Sequence, residues 1–290
     1  MFCLTENQVT AIECLSKFKY LTSSQFVEIM GYKKRDYLTK ALKPLILQNK
    51  PLIYKHDFNP INGKLESFYY LTKYGKQFLI NELEYSEDQI KFPKNLSKIK
   101  LKDYHHRKFT IDFHISLDQW LKSNDGYINF LNYYFDKSGN NRTGDKNQSV
   151  IALNRIHIDR NHSFIPDINT KFSINGKEYL YLFEQHDGKD TKRLFEQLYV
   201  HIIAISKSSV QKKYKQKSSH KVVVVCEFES VKNSVIQRLQ KEKGIEHYNN
   251  FFIFKTNAEL EEDFYDNWTL ISGEQTTFIS KSRPFKIPCQ

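Results

Sequence analysis

Ile165-Pro166-Asp167-Ile168-Asn169-Thr170-Lys171-Phe172-Ser173-Ile174, then Asn175-Gly176-Lys177, then Glu178-Tyr179-Leu180-Tyr181-Leu182-Phe183-Glu184-Gln185-His186, is the stretch on which the fold turns. Two runs rich in aromatic and branched residues flank an Asn-Gly pair, the pattern of a β-hairpin closed by a tight turn. Asp187-Gly188 follows, then a helix predicted from about Asp190 to Ile205. Lys221-Val222-Val223-Val224-Val225-Cys226 reads as a buried strand, 231–243 as a helix and 251–254 as another strand. Strands paired first as a hairpin and then alternating with helices predict an α/β domain with a mixed sheet. Upstream, a helix over 103–122 aligns Phe109, Phe113, Leu117 and Trp120 on one face. A strand at 127–135 and a polar loop at 138–147 follow it. Tyr133 and Tyr134 read as strand packing, since no His-apolar-His pattern accompanies them.

The hairpin also carries the candidate chemistry. Asp167 opens the first strand and Glu184 lies near the end of the second, so antiparallel pairing draws them together. His186 shares a face with Glu184, because side chains alternate along a strand. Two carboxylates offer the oxygen donors that Mg²⁺ or Mn²⁺ requires, and such an ion polarises a phosphoryl oxygen and lowers the pKa of bound water. His186, Lys189 and Lys192 are the candidates to hold or deprotonate that water. Alternatives stand beside these readings: Asp167 as a turn residue after Pro166, His186 as a satisfied strand-end histidine.

The first 84 residues read differently. Thr5-Glu6-Asn7-Gln8 and Thr22-Ser23-Ser24-Gln25 have capping-box spacing, each ahead of a helical apolar repeat, and Gly31 is placed to end the second helix. A third helix is expected over 33–48, with Tyr37, Leu38, Ala41, Leu42 and Leu45 facing inward and Pro44 kinking or ending it. Strands at 52–55 and 68–71 flank an Asn62-Gly63 turn, and Thr72 caps a closing helix. This order describes a winged helix-turn-helix, whose third helix enters a DNA major groove while the hairpin touches the backbone. Lys33, Lys34, Arg35, Lys40 and Lys43 on that helix, with Lys64 on the hairpin, are the expected contacts to double-stranded DNA. The same fold also serves protein binding. Residues 85–102 read as a linker and 103–290 as the second domain.

The 290 residues carry 44 Lys and Arg against 33 Asp and Glu, a formal charge of +11 that favours a polyanionic partner. With 40% hydrophobic residues the chain has the material for packed cores, which excludes a disordered protein. Six lysines and no acid lie in 207–221, either a disordered loop or a backbone clamp, with Lys212, Lys213 and Lys215 as candidate DNA contacts. Cys3, Cys14, Cys226 and Cys289 show no zinc-binding spacing. No signal peptide or membrane-length apolar run is visible, so a soluble, cytoplasmic protein without a membrane partner is expected.

A winged helix, then Pro166-Asp167, then Glu184-Gln185-His186-Asp187-Gly188 and a lysine-bearing helix, resembles the replication-relaxation family, which includes MobC-type plasmid mobilisation relaxases. The resemblance implies a PD-(D/E)XK restriction-endonuclease-like fold and metal-dependent nicking at a transfer or replication origin. It also implies a plasmid or mobile-element setting and accessory mobilisation proteins. By that resemblance Asp167 and Glu184 are the metal-binding acids. His186 stands where the family carries lysine, with Lys192 as a displaced substitute, and His105-His106-Arg107 resembles the family's first-helix histidine, in support of the site. A restriction-type endonuclease and a non-catalytic replication initiator or regulator are the alternative expectations. A homodimer suits a palindromic site.

Overall fold

The structure, a computed structural model, describes residues 4–58, 65–93, 99–138 and 151–279. The chain divides into two compact units, Met1–Ile115 and Ser116–Gln290.

In the first unit, α1 (Glu6–Phe18) starts at the Thr5 capping box, and α2 (Ser23–Met30) starts at Thr22 and ends on Gly31 in the left-handed conformation. Next come α3 (Arg35–Leu47), β1 (Ile53–His56), β2 (Phe68–Leu71) and α4 (Lys73–Glu82). The strands pair antiparallel, with Ile53 opposite Leu71, and Leu21 bridges to Tyr69 on the other side of β2. Leu15, Phe26, Leu42, Leu45, Leu52, Phe68 and Tyr70 fill the core. On α3 only Leu38, Leu42 and Leu45 are buried; Tyr37, expected inside, is 54% exposed. Pro44 does not end the helix, which runs on to Leu47. Gly75 has a specific cause: a Cβ there would collide with the Leu52 carbonyl oxygen and with Leu71, so its absence lets α4 lie against the ribbon.

Residues 85–93 pack back on α1 rather than hanging as a linker: Tyr85 donates to Glu13 at 2.9 Å and the Lys91 amide to the Ser16 carbonyl at 2.7 Å. The first half of α5 (Tyr104–Lys122) also belongs to this unit. Buried Gln25 donates to Asp112 at 2.7 Å and to the Lys108 carbonyl at 3.2 Å, while Tyr104 packs on Phe58 and Phe68.

The second unit contains β3 (Tyr127–Tyr133), β4 (Lys137–Ser138), β5 (Ile151–Ala152), β6 (Ile156–His157), β7 (Ser163–Phe164), β8 (Ile168–Ile174) and β9 (Lys177–His186). After these come α6 (Thr191–Ser206), α7 (Ser209–Tyr214), β10 (Lys221–Cys226), α8 (Glu229–Gln240), β11 (Phe252–Thr256), α9 (Asn257–Glu262), β12 (Trp268–Thr269) and β13 (Gln275–Thr276). Seven strands form one mixed sheet in the order β13-β12-β11-β10-β9-β8-β3. β8 and β9 are the expected hairpin, turned by Asn175 and Gly176 at φ 50° and 71°. β9, β10 and β11 run parallel, joined by α6 and α8. Those helices cover the face bearing Val222, Val224, Phe252 and Phe254. On the opposite face Phe172, Tyr181, Trp268 and Trp120 surround Phe278. The lysine-rich run is not a structureless loop, since it holds α7. β12, β13 and α9 extend the sheet region beyond the sequence expectation. Among the described residues, no helix is long and apolar enough to cross a membrane.

Candidate functional site

The hairpin register decides the geometry. Ile168 faces Phe183, so Asp167 and Glu184 come next to each other at the next position along the two strands. Asp167 is fixed from three directions. Its amide donates to the Phe183 carbonyl at 3.0 Å, its Oδ2 accepts from the Gln185 amide at 2.8 Å, and Asn154 donates to the carbonyl of Pro166 just before it. Asp167 is therefore a strand-end residue tied to β9 rather than a turn residue.

Glu184 stands in the middle of the sheet, opposite Val224 of β10, and is 1% exposed. A bare carboxylate there would be costly, and α6 supplies the answer. His201 Nε2 donates to Oε1 at 2.6 Å, and Gln197 Nε2 donates to Oε2. Residues four apart share a helix face, so both donors reach one carboxylate. Behind them the Phe164 ring meets His201 edge-on at 4.8 Å, and the His220 ring lies 6.4 Å away. Burial, with His220 beside it, holds His201 well below the ordinary histidine range; burial alone lowers His220 to about 3. Burial thus disfavours the charged form of both rings, and His201 donates to Glu184 through a proton on Nε2. Its Nδ1 and His220 Nε2 are buried without a hydrogen-bond partner among the described residues.

His186 ends β9, buried, on the face of Glu184, and its carbonyl accepts from the Glu227 amide at 2.9 Å. Lys189 lies over the Phe228 ring at 5.7 Å. Lys192 is on the outer surface of α6, 75% exposed and 3.9 Å from Glu196. Asp167, Glu184 and His186 are thus brought together by the hairpin, and Lys192 is not brought to them. His105 and His106 lie on α5 in the first unit, the His105 ring against Tyr104 and Phe109. Lys33, Lys34, Arg35, Lys40 and Lys43 are exposed, and Arg35 is also ion-paired to Glu66. Lys64 lies outside the described residues. Lys212, Lys213 and Lys215 are exposed, but Lys213 also donates to the carbonyls of Leu153 and Arg155 at 2.9 and 2.8 Å, and partial desolvation of its ammonium lowers it to about 8.

Sequence reasoning missed Gln197 and His201. The signal was present: on the inward stripe Leu194, Leu198, Ile202 and Ile205, these two residues are the polar interruptions.

Two carboxylates on neighbouring strands are the oxygen donors a hard cation takes, each with about four acceptor positions, of which His201, Gln197 and the Gln185 amide already occupy one each. Among the described residues, no group of three or more His, Cys, Asp or Glu side chains is arranged to hold a metal ion. A divalent ion on this pair would complete its shell with water and phosphate oxygens, as Mg²⁺ commonly does. No family model matches the chain, and neither a curated protein nor a solved structure matches it.

Proposed function

We propose that the chain is a DNA-binding, metal-dependent endonuclease of the nicking type, with a winged-helix first unit and a PD-(D/E)XK-like second unit. The observation that carries the reading is the Asp167–Glu184 pair, held by hairpin register within the order α5, β3, β8, β9, α6, β10. Asp167 and Glu184 would hold Mg²⁺ or Mn²⁺, which when bound supplies Lewis-acid polarisation of a phosphodiester. Gln197 and His201 fix the Glu184 carboxylate so that its oxygens do not reorganise when charge develops nearby. His186, on the same face, is the group to accept a proton from the attacking water. Exposed Lys33, Lys34, Lys40 and Lys43 would neutralise phosphates of duplex DNA. A plasmid or mobile-element relaxase acting at an origin is the process this fits best.

One observation favours a second reading. His186 stands where a lysine would be expected and Lys192 points away, which favours a DNA-binding regulator or initiator without cleavage. Supercoiled DNA carrying the protein's own locus, incubated with Mg²⁺ or Mn²⁺, separates the readings. Open circles from the wild type, absent with Asp167→Asn and Glu184→Gln, support the nicking enzyme. Linear product points to a restriction-type enzyme. Intact DNA with a clear gel shift moves the assignment to the regulator, and the absence of both overturns the proposal.

A further inference from the structure

Two sequence-distant basic segments meet in the second unit. Residues 207–217 carry five lysines and no acid. The β6–β7 hairpin and its lead-in carry Arg155 and Arg160 with one acid, Asp159. That acid, though exposed, is already engaged by its neighbours: it accepts from the Asn161 and His162 amides and from His162 Nδ1, and Lys207 Nζ lies 3.1 Å away. Lys213 ties α7 to the same hairpin through the Leu153 and Arg155 carbonyls. Beneath them Ile156 and Val210 are buried in one cluster with Leu182, and Tyr214 stacks on Phe130.

Two of the five lysines are thereby used as fasteners. Arg160 on the hairpin and Lys212, Lys215 and Lys217 on or just after α7 are left exposed, and Arg155 is half-buried. The surface adjoins the candidate site by two covalent and packing routes. Phe164 of β7 rests on His201, the donor to Glu184. The chain then runs from β7 through Ile165 and Pro166 into Asp167.

We propose that the β6–β7 hairpin and α7 form a phosphate-binding surface, separate from α3, that carries a DNA backbone toward Asp167 and Glu184. The inference rests on the DNA-binding reading given above and refines it: Lys207 and Lys213 are the fasteners, and Arg160, Lys212 and Lys215 are the phosphate contacts.

The test is the salt dependence of DNA binding by the full chain, read by anisotropy of a labelled duplex. Each phosphate neutralised adds about 0.9 to the slope of log K against log salt. Arg160→Ser/Lys212→Ser/Lys215→Ser should lower the magnitude of that slope by about 2–3. Lys40→Ser/Lys43→Ser, on α3, should lower it by up to about 2, and the two sets should add. A wild-type slope in the triple variant, with the α3 variant still reduced, overturns the second surface and leaves the winged-helix reading standing. Absence of DNA binding by the wild type overturns both. Salt-dependent binding through the triple set without any cleavage supports the surface and removes the nuclease.

Discussion

His220, immediately before β10, is buried beside His201, and its pKa is lowered from 6.5 to about 3 by burial alone. In the unfolded chain it titrates near 6.5. Between those two values the unfolded state binds a proton that the folded state refuses. Stability from this group is therefore complete above about pH 6.5 and is lost as pH falls, by up to about 1.4 kcal/mol per pH unit. From pH 7.5 to 5 the loss is about 2 kcal/mol. His201, lowered by burial and by His220, acts in the same direction. The perturbation is His220→Gln, and the assay is urea unfolding at pH 7.5, 6.5, 5.5 and 5. Intrinsic fluorescence is the readout, because both tryptophans, Trp120 and Trp268, lie in the second unit. The variant should lose about 2 kcal/mol less than the wild type over that range. Parallel pH profiles for the two proteins would refute the argument that His220 is buried neutral.

Three further outcomes are expected. His201→Phe removes a hydrogen bond to a buried carboxylate and should cost about 1.5–3 kcal/mol; a double-mutant cycle with Glu184→Gln should show coupling above about 1 kcal/mol, and additivity would disprove the contact. Gly75→Ala drives a methyl group into the Leu52 carbonyl and should destabilise the first unit by about 1–3 kcal/mol, read as a drop in its melting temperature. Glu259→Ala removes the Glu259 half of the α9 capping box, which accepts from the Thr256 amide, and the ion partner of buried Lys232. With the ion-pair part discounted for a carboxylate that is 37% exposed, the cost should be about 2 kcal/mol, and a change under about 0.5 kcal/mol in urea unfolding would disprove it.

The local grammar of this chain was legible where short-range chemistry decides. Thr22 and Thr72 begin helices because each offers a side-chain oxygen to otherwise unpaired amides, Thr5 pairs its amide with Gln8, and Asn175-Gly176 turns the hairpin because both residues adopt positive φ. The pairing of Asp167 with Glu184 followed from that turn alone. Long-range packing was not legible. Tyr37 has the right spacing to face inward, yet the neighbouring helices close over Leu38, Leu42 and Leu45 and leave it outside. The lysines of 207–217 resemble a solvated loop until Val210 is buried under the β6–β7 hairpin and Lys213 meets two carbonyls. Gln197 and His201 stand out as polar breaks in the inward stripe of α6, but their partner, Glu184, is set only when α6 is laid across β9.

The Asn175-Gly176 turn also has a consequence in time. β8 and β9 are joined by two residues, whereas β9 reaches β10 only after α6 and α7 have formed between them. Closing a short loop requires little chain entropy, and hairpins zip in microseconds, while the parallel crossover must wait for distant contacts. The two acids therefore become neighbours early, while Glu184 is still hydrated. Docking of α6 later strips that water and replaces it with Gln197 and His201. Desolvation of this carboxylate therefore belongs with α6 docking, and substitutions at Gln197 or His201 should alter the unfolding rate more than the rate of folding.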